Sequence, residues 1–216
     1  MSPVLDNLDL YWSGFLQSLE FIVYTLVGSL LLGALIAACR VSPIGALRGF
    51  GTAYVNLLRN CPLTIVLFFM AFGLPEIGIN RSYFFFGVMG LTLYTAAFVC
   101  EALRSGINAV PAGQAEAARA VGLTFTQTMR SVVMPQAFRS SIPPLGSVQI
   151  AMFKNSAVAG AFGIGGDLFS VSKILTSARG YDIIPVLIGV AIGYLVITLT
   201  AGALLAVIER KVAIVR

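Results

Sequence analysis

The sequence predicts an all-α membrane protein with five transmembrane helices. Of its 216 residues, 58% are hydrophobic and 11% charged, at a mean hydropathy of +0.92; an ordinary soluble domain carries about 25% charged residues. Uncharged runs recur at close to the roughly 20 residues that a helix needs to cross a bilayer. The basic residues gather in alternate connections between those runs, the pattern of cytoplasmic loops.

The first span is expected at about residues 15–39, of which 21–39 carry no charge. Residues 1–14 hold Asp6 and Asp9 but no Lys or Arg. They lack the basic start of a secretory signal and read as an external segment. A second span is expected at about 54–74, with Arg59 near its start and Pro62 as a kink or helix start. A third covers 82–100, and a polar loop occupies 101–141. The fourth, 142–166, is interrupted by Lys154. A polar link at 167–182 leads to the fifth span, 183–208, whose Gly189 and Gly193 have a spacing that allows close helix packing. Residues 209–216 form a tail. With no linker or repeat, residues 15–208 read as one domain.

Five spans put Arg40, Arg48, Arg59, Arg104, Arg119, Arg130, Arg139, Arg210, Lys211 and Arg216 on one side. Arg81, Lys173 and Arg179 fall on the other. Ten against three predicts an external N-terminus, with the 101–141 loop and the C-terminus in the cytoplasm. The net charge of +5 therefore reflects topology and does not point to nucleic acid. Cys39, Cys61 and Cys100 lack metal-ligand spacing and read as buried thiols or small packing residues. The chain has no phosphate-binding G-x-x-x-x-G-K-[ST] run and no nucleophile–base pair. ATP hydrolysis is not expected of it, and it does not read as an enzyme.

Within the polar loop, residues 111–121 predict a short helix. Pro111 suits a first turn, and Ala115, Ala117, Ala118 and Ala120 favour helix while exposing little bulk. Gly122 suits the left-handed residue that ends such a helix. Thr124 and Gln127 can form a capping box for a second helix, which Pro135 should stop. The product is a thin, Ala-lined knob able to enter a groove on a partner.

Glu116-Ala117-Ala118, then Gly122 after three residues and Val132-Val133-Met134-Pro135 after nine more, resembles the EAA loop of ABC importer permeases. Glu101-Ala102-Leu103-Arg104-Ser105-Gly106-Ile107 is similar to that family's entry to the loop, and Arg59-Asn60-Cys61-Pro62-Leu63 to an Arg-x-x-Pro-Leu segment of its polar amino-acid members. Arg40-Val41-Ser42-Pro43 and Lys154-Asn155 look most like glutamate-type subunits of actinobacterial kind. The resemblance implies a type I, MetI-like architecture and alternating access. It makes Glu116, Ala117, Ala118, Gly122 and Pro135 a coupling loop for cytoplasmic ATP-binding subunits, which carry the ATP and Mg; this chain holds no cofactor. It also implies a second permease subunit, identical or related, an extracytoplasmic solute-binding protein and a multi-pass place in a bacterial cell membrane. The substrate implied first is L-glutamate, with aspartate or glutamine beside it. The alternative is an ATP-independent carrier or channel whose loop is merely structural.

Lys154 is the outlier in the spans. A charge at mid-membrane costs at least about 2.5–3.5 kcal/mol on insertion scales, so it should face a cavity or a partner. Asn155 and Ser156 add polar groups beside it, and Gly160, Gly163, Gly165 and Gly166 could loosen the helix nearby, as at transporter substrate sites. These residues form a candidate substrate pathway. The other reading is a lysine that snorkels to the interface or pairs with a helix C-terminus. Glu20 reads as reaching the headgroups, and Glu101 as pairing with Arg104 three residues on.

Overall fold

The computed structural model describes residues 2–163 and 167–212, and every regular element among them is helical. A short Ser2–Leu5 (α1) precedes Leu8–Val41 (α2). The 34-residue α2 starts ahead of the expected span, with Asp9 in its first turn, where a carboxylate complements the helix dipole. It ends at Ser42, held extended at ψ 141 because the ring of Pro43 disfavours helical geometry before it.

The expected second span is not one helix. Gly45–Asn60 (α3) and the following segment meet at 103°. Pro62 donates no hydrogen bond and holds Cys61 extended (φ −95, ψ 132), so a straight crossing over 54–74 is excluded. Beyond the bend come Leu63–Phe68 (α4), a π-helical turn at Phe69–Gly73 and Leu74–Glu76 (α5).

Ser82 caps Tyr83–Asn108 (α6), its Oγ accepting from the Phe85 N–H at 3.2 Å. The helix runs past the expected end and carries Glu101 and Arg104. The loop then contains Ala112–Ala120 (α7) and Phe125–Thr128 (α8). A π-helical turn at Met129–Val133 passes directly into Met134–Ala161 (α9). Pro135 therefore does not stop a helix as expected; it sits in the first turn of α9. The last widened bond of that turn is donated by the residue just before the proline, Met134 N–H to the Met129 carbonyl. Ahead of Pro75 the arrangement is the same, Leu74 N–H to the Phe69 carbonyl. In both places the wider turn shifts the ladder where the proline ring would clash and no donor exists.

The expected polar link is largely helix: Leu168–Lys173 (α10), then a π-helical turn at Ile174–Ala178, before Ile183–Val212 (α11). It buries Leu168, Val171 and Leu175.

By length and composition α2, α6 and α11 can cross a membrane, and the bent α3–α5 pair makes a fourth candidate. The expected five is reached only with α9, long enough at 28 residues but more polar, with Gln149, Lys154, Pro143 and Pro144 in it. The core forms where α6 packs on α2 and α9, with Phe86, Leu91, Ala97, Val99 and Cys100 inside. The outward faces of α2 and α11 are apolar, as at Leu31 and Leu199, and suit hydrocarbon. Gly189 and Gly193 let Tyr11 and Leu168 pack directly on the α11 backbone, the close packing that their spacing predicts.

Candidate functional site

The polar loop folds as a compact knob. Pro111 is the N-cap of α7, one position earlier than expected. Gly122 adopts φ +88, as expected. Its N–H donates to the Arg119 carbonyl at 2.9 Å and the Leu123 N–H to that of Ala118 at 3.1 Å, the paired bonds of a Schellman motif. Thr124 and Gln127 form the full capping box of α8. Ala118 is buried, whereas Glu116 and Ala117 are exposed on the same helix. Val121 is 79% and Phe125 76% exposed, so the knob presents large apolar side chains outward. Pro135 lies on the other arm, exposed.

The two arms close at a neck. There Gly106 of α6 lies against Ser141 of α9, whose hydroxyl donates to the Ala137 carbonyl at 2.8 Å. The same two helices diverge around a cavity of about 210 Å³. Tyr94, Thr95 and Phe98 line it from α6, and Val148, Ala151, Met152 and Asn155 from α9. Of these, sequence reasoning singled out only Asn155; the others resemble ordinary core residues. A wider hollow of about 560 Å³, walled by Phe68, Phe69, Phe72 and Phe162, opens beside α4.

Lys154, Asn155 and Ser156 are not brought together. Lys154 is exposed and has no ion pair or hydrogen bond among the described residues. Three residues from Ala151, it lies on the stripe beside the cavity. Asn155 lines the cavity. Ser156 is buried, and its hydroxyl donates back to the Phe153 carbonyl at 2.7 Å. The expected glycine loosening becomes a helix end: α9 stops at Ala161, and Gly163 follows at φ +72. Gly165, Gly166 and Arg216 lie outside the described residues. Next to this end, Asp167 is buried and accepts from the Tyr194 hydroxyl and from Ser170 N–H at 3.2 Å. Sequence reasoning missed it, reading Asp167 only as the start of a polar link.

Glu101 is a meeting point for three arginines. It accepts from Arg40 of α2 and, at 3.2 Å, from Arg104 of α6, while Arg59 of α3 stands 3.7 Å away. Of the three, sequence spacing pointed only to Arg104 as a partner for Glu101. The Arg59 guanidinium also lies 5.7 Å from the centre of the Phe98 ring, so the charge cluster adjoins the cavity wall. Among the described residues no group of three or more His, Cys, Asp or Glu is placed to hold a metal. The arrangement offers a small solute two polar groups, Thr95 and Asn155, in a partly aromatic-walled space between α6 and α9.

Residues 29–214 match the family described as binding-protein-dependent transport system inner membrane component. The chain is 40% identical over 213 residues to the glutamate transport system permease protein of Corynebacterium efficiens, covering 93% of this chain and 92% of that one. It is 38% identical over 211 residues to a probable glutamine ABC transporter permease protein of Bacillus subtilis, covering 98% and 97%. Its fold is similar to a chain in the crystal structure of an amino acid ABC transporter with histidines, at TM-score 0.91, 34% identity and 96% coverage of both chains. A chain of the inward-facing MetNI methionine ABC transporter shares the fold at TM-score 0.70 and 24% identity, again over 96% of each.

Proposed function

The chain belongs to the binding-protein-dependent transport system inner membrane components, and from that premise we propose that it is the permease subunit of an ABC importer for L-glutamate. One observation supports coupling most directly. The helices clamped at the neck of the knob, α6 and α9, are also those that wall the cavity. A push on the knob therefore reaches the cavity through two packed helices rather than through a loose loop. Cytoplasmic ATP-binding subunits, holding ATP and Mg, dock on the exposed Glu116–Ala117 turn with Val121 and Phe125 around it. Their closure tilts α6 and α9 and opens the cavity to the other side. A second permease subunit completes the pathway, and an external solute-binding protein delivers the substrate.

Glutamate at neutral pH carries two carboxylates and one ammonium, a net charge of about −1. Lys154, exposed beside the cavity, supplies the counter-charge, and Asn155 a hydrogen-bonding amide at the wall. The charge bias of the loops supports an external N-terminus and a cytoplasmic knob. No specific observation favours an ATP-independent carrier or channel.

The test is uptake in proteoliposomes holding the complete complex, with labelled glutamate, aspartate, glutamine and arginine offered in turn. ATP-dependent uptake should prefer glutamate over arginine by at least about tenfold, the factor given by 1.4 kcal/mol of differential binding. Preference for a neutral or cationic amino acid would overturn the substrate, and uptake independent of ATP would overturn the coupling.

A further inference from the structure

Helix α3 has three distinct faces. Gly51 and Val55 pack inward, against Ile36 and Arg40 of α2 and against Ala97 and Cys100 of α6. Phe50 and Leu57 form an apolar stripe 59% and 70% exposed. Arg48, Asn56 and Arg59 are exposed as well; at about 100° per residue Arg48 and Arg59 lie roughly opposite that stripe and Asn56 about 110° from it. The 103° bend after Asn60 frees α3 from the direction of the crossing segment that follows. A helix with an apolar edge, a basic edge and one side on protein fits the plane of the bilayer surface.

The charge is unbalanced there. Arg40, Arg59 and Arg104 share the single carboxylate of Glu101. The Arg59 and Arg104 side chains remain 47% and 40% exposed, and Arg104 Nε is buried without a partner. Arg48 has only a 3.4 Å contact to the Ser42 carbonyl. Guanidinium groups bind phosphate oxygens through paired, charge-assisted hydrogen bonds. We propose that α3 lies in the membrane interface, where Arg48 and Arg59, about 16 Å apart along the helix, each meet the phosphate of an anionic phospholipid and Phe50 and Leu57 enter the acyl region. Lipids packed around an interfacial helix satisfy both exposed edges, headgroups on the basic one and acyl chains on the apolar one. This inference does not depend on the identity of the transported solute.

The test uses the purified complex in vesicles of equimolar phosphatidylglycerol and phosphatidylcholine, followed by detergent extraction and counting of retained lipid. Wild type should retain phosphatidylglycerol preferentially. Arg48→Gln should reduce that retention about fivefold, as loss of one arginine near an anionic surface would. Arg48→Lys should keep most of it, and Arg81→Gln, on a different connection, should keep all of it. Equal retention of the two lipids by wild type, or unchanged retention in Arg48→Gln, would overturn the proposal. So would displacement of the lipid by millimolar inorganic phosphate, which would mark a free-anion site. A spin label on Phe50→Cys should collide with dissolved oxygen and one on Asn56→Cys with a water-soluble nickel complex; protection of the Phe50 label from both reagents would put protein, not lipid, against this face.

Discussion

A methyl group added to Gly106 would stand 1.9 Å from Ser141 Oγ, so α6 and α9 meet at these two residues with no space for a side chain. The Ala137 carbonyl oxygen, 2.6 Å from the same position, is backbone and cannot be trimmed. Gly106→Ala should destabilise the complex by about 1–3 kcal/mol, the usual range for overpacking. Ser141→Gly in the same chain should restore only part of it. Thermal melts of the purified complex check this; an unchanged midpoint for Gly106→Ala would mean that the neck is not held closed.

Gly122 offers a cleaner separation of conformation from volume. At φ +88 nothing lies within 4 Å of an added Cβ. Gly122→Val should therefore act through backbone strain alone, about 1–2 kcal/mol or more for a β-branched residue. Membrane insertion should survive while uptake and substrate-stimulated ATPase fall together. Gly122→Asn should retain more of both, because Asn tolerates the left-handed region. Equal activity in the Val and Asn variants would remove the knob's shape from the coupling mechanism.

At Glu101 the charges predict an order of effects. Glu101→Gln leaves three arginines facing one another, and removing one partner of a fully buried pair costs about 3–5 kcal/mol. Here the glutamate side chain is 22% exposed, so a somewhat smaller loss is expected. Arg104→Gln, 40% exposed and paired within one helix, should cost less than about 1 kcal/mol. Melting temperatures of the two variants in the same detergent test the order, and a reversed order would show that Glu101 does not hold the cluster.

Lys154→Met keeps most of the side-chain volume and removes its charge. Transport per assembled complex should fall close to background, with basal ATPase retained. Uptake near wild type would end the counter-charge role.

The orientation can be read from labelling. In a background lacking Cys39, Cys61 and Cys100, Ser177→Cys should react with an impermeant maleimide in intact cells. Arg119→Cys should react only after permeabilisation. The opposite pattern would invert the topology and remove the knob from the cytoplasm.

Local features of the chain were legible because their causes lie within a few residues. The Schellman turn at Gly122 and the Thr124–Gln127 box are set by backbone and neighbour chemistry alone. Pro135 was misread because a widened turn leaves no mark in residue type. Pro62 was read as a kink or helix start, but residue type does not set the angle at which the two helices meet. Arg40 and Arg59 reach Glu101 from different helices, a convergence that sequence spacing cannot encode. Tyr94, Thr95 and Phe98 could be separated from core residues only once α6 and α9 were seen to diverge.

The bend at Pro62 also bears on the surrounding lipid. Helix from Leu63 to Glu76 rises only about 21 Å at 1.5 Å per residue, against a hydrocarbon layer of about 30 Å. Taken as the crossing on that flank, it requires the bilayer to thin or a neighbouring subunit to fill the difference. Hydrophobic mismatch costs fractions of a kcal/mol per ångström, and it grows as acyl chains lengthen. With this segment as a crossing, membrane thickness acts on the protein through its shortest candidate span, and a shift in lipid chain length changes its energetics without altering a residue.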